Sequence, residues 1–91
     1  MKFDEIIGRG MTVSILGLYD TLEDAVYDFY KTIKSSGGIL TERNIELMGY
    51  EFEIATRTIL MSNGKYSFKE ATKKSKSASS QLINLLKREV Q

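Results

Sequence analysis

Apolar residues recur at helical steps over much of this chain. Between positions 21 and 35, Leu22, Ala25, Phe29 and Ile33, joined by Val26, fall at three- and four-residue intervals, the repeat of one helix face. Thr21 with Asp24 reads as a capping pair at its start, and Ser35-Ser36-Gly37-Gly38 supplies the stop. A second helix is predicted from about Glu42 to Ser62. Ile45, Met48, Phe52, Ala55 and Ile59 make one stripe, while Leu47, Tyr50, Ile54 and Met61 make another nearly opposite, as expected of a central rod packed on two sides. A strand competes here, because Tyr50-Glu51-Phe52-Glu53-Ile54 alternates and Asn63-Gly64 is a strong hairpin signal. The same dipeptide also ends helices in the left-handed conformation. The alternation lapses after Ile54 whereas the two stripes account for nine apolar residues, so the helix is the expectation.

Elsewhere the pattern is weaker. Phe3, Ile6 and Ile7 fit a short helix up to Gly8, and Met11 to Tyr19 leans helical over strand. A third long segment opens at Ser67, an N-cap before Phe68, and runs to about Val90. Its middle, Thr72 to Ser80, holds a single apolar residue, Ala78. That stretch is either a small-residue strip within one helix or the turn between two. The expected fold is mostly α, a compact single-domain bundle of four to five helices over residues 1–91, with a helix-turn-helix near the C-terminus as one reading.

Ninety-one residues suit one domain that buries only about two-thirds of its unfolded surface. A homodimer is expected to add the missing burial. With no His and no Cys, thiolate or imidazole catalysis, the usual zinc and haem ligation, and disulfides are all excluded. The absence of disulfide chemistry and the acidic start Met1-Lys2-Phe3-Asp4-Glu5, unlike a signal peptide, point to the cytoplasm. No apolar run approaches the length a bilayer span needs.

Charge changes the picture more than composition does. Residues 1–56 carry five basic side chains against ten acidic, net −5, and residues 57–91 carry eight against two, net +6. A basic lobe attracts polyanions and an acidic one attracts basic protein surfaces, unless the lobes satisfy each other within the fold or across a dimer.

Residues 57–90 offer a helix ending Thr58-Ile59-Leu60-Met61, the turn Ser62 to Tyr66, a short helix Ser67 to Thr72, a polar break, and a terminal helix opening at Ser79-Ser80 with Leu82, Leu85 and Leu86 inward. This third of the chain resembles the winged helix-turn-helix DNA-binding regulators of bacteria and phages. The resemblance implies that Ala71 is the small residue permitting close helix approach. It also implies that Ser80, Gln81 and Asn84 face base edges in the major groove, with Lys87 and Arg88 near phosphate and Lys73, Lys74 and Lys76 on the backbone. Gln and Asn side chains suit bidentate contact with adenine. The chain departs from that family at Ser75-Lys76-Ser77, where apolar residues are usual, and no wing is recognisable before Gln91.

A second constellation lies on the first predicted helix. Asp20, Asp24 and Asp28 stand one turn apart with Glu23, Tyr27 and Tyr30 nearby, a surface suited to a basic protein partner. Carboxylates one turn apart on a regular helix rarely converge on one cation. Glu51 and Glu53, about 200° apart on a helix, do not make an acid–base pair, and Gly8-Arg9-Gly10 lacks the spacing of a dinucleotide or phosphate loop. No catalytic, metal or cofactor residues are therefore assigned. The function expected is non-enzymatic: a DNA-binding or transcription-regulatory protein without cofactor. The alternatives are a phage- or mobile-element-encoded adaptor or inhibitor acting through helix 21–35, and a small dimeric structural subunit.

Overall fold

The computed structural model of the chain describes residues 12–13, 16–36 and 40–90. Three helices stand among them: α1 (Leu22–Ser35), α2 (Glu42–Ser62) and α3 (Phe68–Val90). Each opens on a hydroxyl. Thr21 Oγ1 accepts from the Asp24 amide at 3.1 Å, Thr41 Oγ1 from the Asn44 amide at 3.1 Å, and Ser67 Oγ from the Glu70 amide at 3.2 Å, which satisfies donors that a helix start leaves without partners. The α2 helix stops at Asn63-Gly64, where Gly64 takes φ +70° and its amide donates to the Met61 carbonyl at 3.1 Å. This left-handed position is the reason a glycine stands there; the dipeptide is a helix stop and not a hairpin turn.

Antiparallel to α2, α3 follows directly from that turn, bringing Gly49 beside Ser79 and Ile83. Helix α1 lies against both: the Phe29 and Phe52 rings meet at 5.2 Å between centroids and 58° between planes, and its C-terminal end reaches Glu89 at the end of α3. Ala25, Val26, Phe29 and Ile33 from α1, Ile45, Met48, Phe52 and Ala55 from α2, and Ala78, Leu82 and Leu86 from α3 form one buried cluster. Thr12, Val13 and Leu16 have helical backbone, and Thr12 and Leu16 are buried. The expected short helix at Phe3, Ile6 and Ile7 lies outside the described residues.

One expectation is corrected: the bundle has three helices among the described residues where four to five were expected. Of the two readings of the stretch 72–80, the small-residue strip within one continuous helix is the one found. The physical reason is on its inner face. Ala71, Ser75, Ala78 and Ser79 are all buried, so the strip that looked too polar for a core is a small-residue groove into which α2 fits closely. Ser79 Oγ donates to the Gly49 carbonyl at 2.7 Å. A Cβ placed on Gly49 would lie 2.4 Å from Ile83 Cδ1, so the Ile83 side chain occupies the space over the bare glycine and a larger residue there would have to displace it.

The second stripe of α2 also differs from its prediction. Leu47, Tyr50 and Met61 are exposed and Ile54 is half-buried, so α2 packs on one side and presents an apolar stripe on the other.

Candidate nucleic-acid interface

Helix α3 divides its charge and its core between opposite faces. Ala71, Ser75, Ala78, Leu82 and Leu86 recur at 4-3-4-4 steps and are buried. Lys69, Lys73, Lys76, Ser80, Asn84 and Lys87 recur at 4-3-4-4-3 steps, offset from the buried set by two residues or about 200°, and every one is exposed. Lys74, Gln81 and Arg88, seven residues apart, form an exposed shoulder beside that stripe. All eight residues expected to meet nucleic acid therefore lie on the solvent side of one continuous helix. They do so without the bend that a helix-turn-helix would place before Ser79, so Ser80 stands mid-helix and not at a helix opening. Lys69 was missed by sequence reasoning; its four-residue step to Lys73 was the available signal.

Acidic side chains are kept off this stripe. Glu70 sits in the first turn and accepts from the Ser67 hydroxyl at 3.3 Å. Glu89 turns toward α1, accepting from the Tyr30 hydroxyl and pairing with Lys34 at 3.4 Å. This is the one ion pair within 4.0 Å among the described residues, and it joins a base of the acidic half to an acid of the basic half. One minority charge from each half thus neutralises the other. The Tyr30 hydrogen bond holds the Glu89 carboxyl below its ordinary value; the same bond to Glu89 raises the Tyr30 phenol, and the hydrogen bond to Glu89 raises Lys34. Lys74 lies 5.2 Å from the centroid of the Tyr66 ring and Arg57 lies 5.5 Å from that of Phe68, contacts that position a cation without cancelling it.

Asp20, just before α1, and Glu23, Asp24, Tyr27 and Asp28 on it are exposed. Tyr30 leaves that acidic face for Glu89, so the expected constellation is divided. Asp28 accepts from the Tyr19 hydroxyl, and burial, together with that bond and the aspartate charge, pushes the Tyr19 phenol up to about 12. Asp20, Asp24 and Asp28 stay spread along the helix, and no group of three acidic side chains gathers around a point among the described residues. A cleft of about 440 Å³ between the start of α1, the end of α2 and the following turn carries both signs, Asp20 and Glu23 facing Lys65 and Lys74. It does not select a polyanion. No described helix is long and apolar enough to cross a membrane.

Comparison of the chain with protein-family models, with curated proteins and with solved structures finds no match.

Proposed function

We propose that this protein binds double-stranded DNA through the outer face of α3 and acts by occupancy, without a cofactor or a catalytic step. The observation that carries the reading is the stripe of unpaired lysines on α3 with polar hydrogen-bonding side chains at its centre. Lys73 and Lys76 lie on one side of Ser80, Gln81 and Asn84, and Lys87 and Arg88 on the other. Lys76 and Lys87 are eleven residues apart in sequence, or about 16 Å along the helix. A major groove about 12 Å wide admits a helix with its polar centre toward the bases and its flanking cations toward phosphates on either wall. Such a helix needs no turn before it: continuous helices also enter the groove, as the basic regions of zipper proteins do. The helix-turn-helix likeness thus gives way to a straight reading helix bearing the same residues. A regulatory role would follow from blocking or recruiting other proteins at the bound site, and a homodimer would double the phosphate contacts.

Fluorescence anisotropy on labelled duplexes tests the assignment of roles. Replacing Lys73, Lys76 and Lys87 by Ala is expected to weaken all duplexes alike and flatten the salt dependence by about one unit of slope per contact removed. Gln81→Ala or Asn84→Ala is expected to cost about 1–3 kcal/mol on a preferred sequence only. Equal binding by the triple lysine variant and the wild type would overturn the proposal. The second reading, an adaptor that docks the acidic face of α1 on a basic protein, draws on Tyr27, 57% exposed beside Asp24 and Glu23. Its signature is loss of a captured partner on Asp24→Lys with DNA binding unchanged.

A further inference from the structure

The cleft of about 440 Å³ beside the start of α1 has walls of opposite charge, and its size suits a small ligand. Asp20 and Glu23 stand on the α1 side, Lys65 and Lys74 on the side of the turn and α3. All four are exposed, and none makes an ion pair within 4.0 Å, since Lys34 with Glu89 is the one such pair among the described residues. The walls face each other without closing. Between them the lining is apolar at Leu22, Ile59 and Leu60, with one polar exception, Thr56. Thr56 is 1% exposed and its Oγ1 has no hydrogen-bond partner. Ser75 and Ser79, also buried, each reach a carbonyl, so Thr56 departs from the way this fold satisfies its hydroxyls. A buried hydroxyl left without a partner is costly, and a site that supplies one in a bound ligand explains it.

We infer that this cleft binds a short apolar peptide with both termini free. Its ammonium meets Asp20 and Glu23, its carboxylate meets Lys65 and Lys74, and its side chains lie on Leu22, Ile59 and Leu60. The peptide group between the two ends is the polar partner that Thr56 lacks. A polyanion is repelled by one wall and a polycation by the other, while an uncharged apolar molecule leaves both walls and the hydroxyl unused. A free amino acid sets both charges on one carbon and offers Thr56 no peptide group. The inference goes beyond the DNA reading and does not depend on it, because Lys73, Lys76 and Lys87 do not line the cleft.

Titration of the protein with Leu-Leu, followed by amide NMR shifts, is expected to move signals around Thr56, Ile59 and Tyr66. Half-saturation is expected at about 0.1–1 mM, the range that ordinary ligand efficiency gives a molecule of this size. Acetylating the amine or amidating the carboxylate is expected to weaken binding by about fivefold each, and leucine alone to bind about tenfold more weakly. Lys65→Glu is expected to weaken Leu-Leu by at least about fivefold with unchanged helical circular dichroism. Thr56→Val keeps the shape and removes the hydroxyl. It is expected to weaken Leu-Leu by about fivefold while the thermal midpoint stays the same or rises, since an unsatisfied group is lost. No shift at about 10 mM Leu-Leu, well above the expected half-saturation, overturns the inference. So do shifts confined to the outer stripe of α2, equal binding by the doubly capped peptide or by leucine, and an unchanged affinity in either variant. The Ala variant of Lys73, Lys76 and Lys87 is expected to bind Leu-Leu as the unmodified protein does, so the failure of either reading leaves the other standing.

Discussion

Helices α1 and α3 hold to the same core by opposite means. Large side chains attach α1: Phe29 meets the Phe52 ring, and Val26 and Ile33 are almost wholly buried. Over its first half α3 buries only Ala71, Ser75, Ala78 and Ser79, and turns to leucine at Leu82 and Leu86. The first arrangement gains burial and tolerates some imprecision in helix separation. The second gains nearness, with a hydroxyl on one helix reaching a carbonyl on the other, and it fixes the rotation of α3 so that its lysines point away from the core. The difference teaches that a polar-looking strip can be the more exacting of two packing surfaces, and that the orientation of the basic face depends on it.

The largest effect is expected on the side of large side chains. Phe29→Ala should destabilise by about 3–5 kcal/mol through lost burial and a cavity beside Phe52, measurable as a fall in thermal midpoint. A mild shift would mean that α1 is held by something other than its ring. On the other side, enlargement is the damaging change: Ser75→Leu should cost about 1–3 kcal/mol by forcing α2 and α3 apart. Tolerance of leucine there would break the comparison. Ser79→Ala should cost about 0.5–1.5 kcal/mol in urea unfolding, the worth of one hydrogen bond.

The smallest effects are electrostatic and concern the polar contacts that α1 makes with its neighbours. A phenol raised in the folded state stabilises below its unfolded value, so the Tyr19–Asp28 contact should hold up to pH 10.0 and weaken as pH climbs toward about 12. Phenolate absorbance should show Tyr19 and Tyr30 titrating late, and Asp28→Asn should move Tyr19 earlier. The Glu89 carboxyl, lowered by Tyr30, contributes above the ordinary value of 4.5 and loses its contribution as pH falls below it. Tyr30→Phe should return the Glu89 titration, followed by carboxyl NMR shifts, toward that value.

Helices α1 and α2 were legible because their buried residues are large and periodic; Thr21 marked the start of α1, whereas Asn63-Gly64 fitted a hairpin as well as a helix stop and was decided by the stripes. The continuity of α3 was legible only as one of two readings of the stretch 72–80. A hydropathy pattern registers Ser75 and Ser79 as surface, although Ser75 satisfies its hydroxyl on the Thr72 carbonyl at 3.0 Å and Ser79 on that of Gly49, which is how they enter a core. The exposed side of α2 was legible as a stripe but not as an unfilled one, since periodicity says that a face is apolar and not what covers it. Every basic residue chosen from sequence does lie outward. The reason first given, a turn before Ser79, is replaced by the small inner face of one helix.

The central claim is that α3 presents its outer lysines to DNA phosphates, and the salt dependence of duplex binding by the unmodified protein tests it most directly. Four stripe lysines in contact, Lys69, Lys73, Lys76 and Lys87, predict that the logarithm of the binding constant falls against the logarithm of salt with a slope of about −3.6, at about 0.9 per phosphate. A slope near zero, or no retardation of any duplex at low salt and micromolar protein, would contradict the account.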